Sequence, residues 1–186
     1  DSQGRRLLFA WLGLPEENEM SQPTVEHGWI HQMSCPRELV WQDEWLCQRP
    51  VAELDALKGE QTRFEGAPGE LPALAIDSAW LDLVLCGEGR LGFGTVAELV
   101  WQPGRLILRR QNWQSGEWEE RSAPWLGGKI TVLCDRSSLE CFVDGGRQTL
   151  STRYFPGENP VLSARCDGDD SKICLDHWPL AACLVQ

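Results

Sequence analysis

The chain has 186 residues, a formal net charge of -11, and 17 basic side chains against 28 acidic ones. It has no run of about 20 apolar residues that could cross a bilayer as a helix, so a membrane span is not expected. The net negative charge and scattered Lys and Arg argue against a nucleic-acid surface, so no nucleic acid is expected as a partner, and a neutral or locally complemented small ligand is the easier one. A chain of this length buries roughly 70% of its unfolded surface, enough for one good-sized domain or a smaller one plus part of another.

In chain order, "RRLLFAWLG" (5–13) is a short apolar run that reads as a strand buried on both faces. "LPEENEMSQPTVEHG" lacks periodicity and reads as a long loop. "WIHQMSCPRELVW" and "WLCQRPV" read as two strands joined by a tight polar turn at Gln42 to Glu44. "VAELDALKGE" puts Val51, Leu54 and Leu57 on one stripe, giving one or two turns of amphipathic helix that serve as a linker. Beyond it, short strands with turn signals every 8 to 12 residues or so indicate a β-sandwich or barrel. They include "AWLDLVLCG", "RLILRRQNW", "KITVLCD" and "SSLECFVD", and Gly145-Gly146 opens a hairpin into "RQTLSTRYFP".

The eight cysteines (Cys35, Cys47, Cys86, Cys134, Cys141, Cys166, Cys174 and Cys183) sit in apolar strand contexts and behave as small hydrophobes. They are expected to be reduced, which points to the cytoplasm. No Cys-x-x-Cys pair occurs, and His27, His31 and His177 are the only histidines, so no metal or other cofactor is expected. The opening "DSQGRRLLFAWLG" lacks an initiating Met and feeds a strand at once, so the chain reads as cut from something longer.

Glu140-Cys141 raises the question of a glycosidase acid. Alternation along the strand puts Leu139, Cys141 and Val143 on one face, and Glu140, Phe142 and Asp144 on the other. A general acid needs a second carboxylate across a cleft, and none is evident near this hairpin. Glu140 is therefore expected to be a surface or edge carboxylate with no catalytic part.

"SSLECFVDGGRQTLSTRYFP" resembles the S-S-x-E-x-F-x-N/D-x-G…S-x-R-x-F/Y-P segment in the C-terminal sandwich of the bacterial sucrose-6-phosphate hydrolase and invertase (β-fructofuranosidase) family. Upstream, "GRRLLFAWLGLPE", "EHGWIHQMSCPREL" and "LCQRPVAELDALK" are similar to three further motifs of that family, in its order and with similar spacing. The resemblance implies an all-β fold, a C-terminal β-sandwich preceded by the last strands of a five-bladed β-propeller. It divides the chain into residues 1–51 (an incomplete last blade), 52–63 (a linker with a short helix) and 64–186 (the sandwich), with the propeller as the sandwich's packing partner. It implies retaining cleavage of a fructofuranoside, sucrose 6-phosphate or sucrose, by an Asp in N-D-P-N-G, an Asp in R-D-P and a Glu in E-C. This chain has no N-D-P-N-G and no R-D-P, so none of the three catalytic carboxylates maps onto it, and the chain alone is expected to be inactive.

The resemblance places Trp11 at the rim or floor of the fructose pocket, where an indole can stack on a sugar ring. Glu17, in the run Glu16-Glu17-Asn18-Glu19, is the second candidate, as a carboxylate for substrate hydroxyls. Trp29 and Arg37 are expected to be structural, with Arg37 pairing with Glu38 or a neighbouring strand. His27 and His31, two residues either side of Trp29, are expected to share a face as ordinary polar positions. A blade lacking its first strand would leave an unpaired edge and an uncovered apolar face. Two other readings compete. One is a carbohydrate-binding β-sandwich module whose Trp113, Trp118 and Trp125 line one exposed face. The other is a structural or oligomerisation sandwich with no ligand of its own, the role expected of this chain within such a fructosidase parent, where the sandwich stabilises the propeller.

Overall fold

The computed structural model describes residues 1–13, 16–168 and 170–182, with the side chains of Glu16 and Glu17 outside that description. Its strands are β1 (Arg6–Leu8), β2 (Trp11–Leu12), β3 (Gln32–Met33), β4 (Arg37–Gln42), β5 (Trp45–Pro50), β6 (Thr62–Gly66), β7 (Ser78–Cys86) and β8 (Gly89–Phe93). They continue as β9 (Ala97–Gln102), β10 (Gly104–Gln111), β11 (Trp118–Trp125), β12 (Lys129–Asp135), β13 (Ser138–Val143), β14 (Gln148–Arg153), β15 (Leu162–Cys166) and β16 (Lys172–Pro179). One α-turn, α1 (Glu16–Glu19), and 3-10 segments including Pro23–His27 and Ala52–Leu57 complete the frame.

Two sheets form the larger half. The five-stranded sheet runs β11-β10-β9-β8-β15 and the six-stranded sheet β14-β13-β12-β7-β16-β6, with every pairing antiparallel. Period-two alternation sends Leu81, Leu83, Ile130, Val132, Leu139 and Cys141 of one sheet against Leu91, Leu99, Trp101, Leu106 and Leu108 of the other, all in one buried cluster. The expected sandwich is therefore present. Its turns follow the backbone chemistry: Arg136 (φ 47) closes the β12–β13 hairpin, and Gly94 (φ 61) breaks "LGFGTVAELVW" into β8 and β9.

Two small sheets precede it, β1-β4-β5 and β2-β3. Asp43 (φ 50) and Glu44 (φ 65) make the tight turn between β4 and β5 as expected, both in the left-handed region that the short polar Asp tolerates best. The run 5–13 departs from expectation. It breaks after Leu8 into two strands of different sheets, and Leu7, Phe9 and Trp11 are exposed rather than buried. Cross-strand register puts Trp41 opposite Leu46 on one face of the three-stranded sheet, while Trp45 and Leu7 belong to the other, and all four are exposed. The uncovered apolar surface foreseen in the sequence is thus present, and on both faces.

Three further differences concern loops. Residues 16–19 and 23–27 coil into short helical turns where a loop was expected, and β4 begins only at Arg37, so 29–41 is not one strand. His27 therefore lies in a 3-10 turn and does not share a strand face with His31. The stretch Ala52–Leu57 is a 3-10 helix that docks rather than hangs: Leu54 packs with Trp80, Leu133 and Phe142. Lys58 follows, its Nζ 3.6 Å from the ring centroid of Trp80 and 4.7 Å from that of Trp178, and it pairs with Asp55 at 2.6 Å.

Candidate functional site

Trp11 stands on β2, which pairs with β3 so that Trp11 lies opposite Met33. Its indole folds over Gly13, where an added Cβ would come within 2.1 Å of the ring, so Gly13 is the residue that lets the ring lie there. The side chain remains 58% exposed. The His31 ring meets it in a T-shaped arrangement, centroids 4.8 Å apart, and His31 Nε2 lies 2.8 Å from Glu19 Oε1. A carboxylate can only accept, so His31 donates there, which fixes its tautomer when neutral. Trp11, His31 and Glu19 thus form one cluster: an open aromatic face beside a carboxylate and an imidazole. Such a group can stack on the apolar face of a sugar and exchange hydrogen bonds with its hydroxyls.

Sequence reasoning singled out Trp11, and the structure leaves it open to ligand. The side chain of Glu17 lies outside the described residues, and the carboxylate seen in this cluster is that of Glu19, which reaches Trp11 only through His31. His31 was expected to be an ordinary polar position. Its contact with Trp11 joins β2 to the residue just before β3, across a long excursion in the chain, and no spacing rule reports that.

The cluster is held from the far half of the chain. Arg153, buried and with its pKa lowered by desolvation and by nearby Arg110, donates from Nη1 to the carbonyls of Leu12 (2.9 Å) and Ile30 (3.2 Å). It thereby grips the backbone next to Trp11 and next to His31. Gln32, on β3, donates to Asp135 Oδ2 (3.0 Å) and Ser138 Oγ (2.9 Å) and accepts from Ser137 Oγ (2.6 Å). Arg49 Nε reaches the carbonyl of Gly145 at 2.9 Å.

Glu140 corrects the sequence reading. It is not a surface or edge carboxylate: it is 2% exposed on β13, an interior strand, and every residue of that strand is buried. Both of its oxygens are engaged by the small sheets. The backbone N–H of Cys35 donates to Oε1 (2.7 Å), Arg37 Nε donates to Oε2 (3.2 Å), and Arg37 Nη2 pairs with Oε2 as well. Arg37 completes its fork on Gln48 Oε1 (2.7 Å) and Ser151 Oγ (2.8 Å). A carboxylate closed in this way is spent on joining the small sheets to the sandwich. Arg37 is structural as expected, with Glu140 rather than Glu38 as its partner.

The three tryptophans of the competing module reading do not line one face. Trp125 is 5% exposed in the core, Trp118 is partly exposed with Arg109 5.0 Å from its ring, and Trp113 packs edge-on against Phe155.

Residues 1–50 match the glycosyl hydrolases family 32 N-terminal domain and residues 106–170 match the glycosyl hydrolases family 32 C terminal. The chain belongs to glycosyl hydrolase family 32. Across its whole length it is 40% identical to a sucrose-6-phosphate hydrolase of Salmonella typhimurium, spanning 38% of that protein. Over 97% of its length it is 31% identical to one of Bacillus subtilis, spanning 40% of it. The chain therefore covers about two fifths of these curated relatives. Among solved structures, a sucrose-6-phosphate hydrolase from Lactobacillus gasseri superposes on 96% of this chain and 39% of its own, with TM-score 0.78 at 19% identity. An exo-inulinase from Aspergillus awamori gives 0.75 at 16% identity, covering 95% of this chain and 40% of its own. These family 32 structures are a propeller followed by a sandwich, and this nearly all-β chain superposes on part of that fold.

Proposed function

We propose that this chain is the C-terminal portion of a glycoside hydrolase that cleaves the β-fructofuranosyl bond of sucrose 6-phosphate or sucrose with retention. Residues 1–51 supply strands of the last propeller blade, 52–63 the docked connection, and 64–186 the sandwich. The observation that carries this reading is similarity along the entire chain to sucrose-6-phosphate hydrolases, through both family 32 domains. Within the whole protein Trp11 contacts the sugar, Glu17 is a second candidate contact, and the sandwich fixes Trp11 in place through Arg153. The seven described cysteines are free thiols, which favours a reducing, cytoplasmic setting and hence the phosphorylated substrate.

Trp11→Ala in the whole hydrolase tests this. Loss of a stacking face worth roughly 1–2 kcal/mol should raise KM for sucrose 6-phosphate about tenfold or more, with the melting temperature unchanged. An unaltered KM would remove Trp11 from the site. The 186-residue chain alone should release no fructose from either sugar, and release would overturn the assignment of catalysis to other parts of the protein.

A further inference from the structure

A large opening lies elsewhere, where the 3-10 turn Pro23–His27 faces the loops of the sandwich. It is a cleft of about 1090 Å³, and neither Trp11 nor His31 lines it. Three aromatic rings do: Trp29 from the small-sheet half, Trp113 and Phe155 from the sandwich. All three are half-buried, held but not closed off. Trp113 and Phe155 meet edge to face with centroids 4.9 Å apart. The guanidinium of Arg110 lies 4.6 Å from the Trp113 ring, and that of Arg153 lies 5.6 Å from Trp29 and 5.3 Å from Phe155. Trp113 Nε1 donates to Ser21 Oγ at 3.3 Å, so the ring is tied to both halves. Thr24 also lines the cleft, is 6% exposed, and has a buried hydroxyl with no partner among the described residues.

The lining states the ligand's chemistry. Rigid aromatic faces beside an unspent hydroxyl suit a molecule with alternating apolar faces and hydroxyl edges. The lining carries the carboxylates of Glu26, Asp77 and Glu158 against Arg136, and the guanidiniums of Arg110 and Arg153 are spent on the rings, so no excess of positive charge is left to hold a phosphorylated ligand. We infer that this cleft binds a neutral oligosaccharide, stacked on Trp29 and Trp113 and hydrogen-bonded at Thr24. The site exists only where the two halves meet, because each contributes one of the indoles.

The full chain, labelled with 15N, is titrated with the neutral trisaccharides raffinose, 1-kestose and maltotriose, and separately with sucrose 6-phosphate. Indole N–H resonances are read by NMR and affinity by calorimetry. At least one neutral sugar should shift the Trp113 and Trp29 signals while that of core Trp101 stays still, and sucrose 6-phosphate should shift neither. Trp113→Leu should weaken binding about tenfold or more, whereas Trp118→Leu, at a ring that does not line the cleft, should leave it unchanged, and Trp11→Ala is measured beside them. No shift with any neutral sugar overturns the inference, as does binding lost in Trp11→Ala but kept in Trp113→Leu. The readout is binding to this chain, so it can fail while the hydrolase reading stands, and the reverse.

Discussion

Arg37 and Glu140 lie 103 residues apart in sequence and share one buried contact, and its energetics set what each can tolerate. Removing one member leaves the other charged and out of water, which costs about 3–5 kcal/mol. Glu140→Gln should therefore lower the urea midpoint strongly. Arg37→Met combined with Glu140→Met should cost much less than the sum of the single changes, since no unpaired charge remains. Equal and additive losses would show that the pair is not coupled. Neighbouring thiols feel the same burial. Desolvation and then the Glu140 charge push the Cys141 thiol up to about 12, and raise that of Cys35 further still, while burial lifts Cys134 well above the ordinary range. Thiolate is the reactive form, so alkylation at pH 8 should modify exposed Cys86 and Cys166 and spare these three until the protein unfolds. Peptide mass mapping reads the order directly, and early modification of Cys141 would contradict the burial.

The turn between β13 and β14 shows how one element joins the two halves. Gly146 has φ 89, and a Cβ there would meet the carbonyl oxygen of Gln48 on β5 at 1.9 Å. The sequence signalled this Gly-Gly as a hairpin, and the turn is there, but its stricter demand is room for β5. Gly146→Ala should cost about 2–4 kcal/mol through strain and overpacking together. Gly157, with φ 78 and no atom within 4 Å of an added Cβ, meets only the backbone cost and should lose less when changed to Ala. Thermal melts of the two variants compare them, and equal losses would remove the crowding argument. The segment Ala52–Leu57 makes the same point: its apolar stripe was legible, but not what it packs against. Leu54 faces Trp80 and Phe142, so the stripe serves docking rather than an independent helix.

Taken as a molecule, the chain has one well-closed part and one open part. The sandwich core is shut, whereas Trp41, Trp45 and Leu46 stand exposed on β4 and β5, from both faces of their sheet. A sheet apolar on both sides is built to lie between neighbours, as a propeller blade does. The 186-residue chain in isolation should therefore self-associate, and Trp41→Lys with Leu46→Glu should reduce this without lowering its melting temperature. Sedimentation velocity decides it, and a monodisperse wild-type chain at high concentration would refute it.

The fold class, the strand alternation, most hairpins and the candidate Trp11 were determined by the sequence alone, because period-two patterning, turn residues and the motif resemblance are local in the chain. The tertiary structure decided what long-range contact creates: His31 beside Trp11 and bonded to Glu19, Arg153 clamping Leu12 and Ile30, and the burial of Glu140 on Arg37. Local pattern reports which face a side chain takes, but not what covers that face. The second covering layer, laid over the six-stranded sheet by residues a hundred positions away, turned a seemingly exposed carboxylate into the anchor between the two halves.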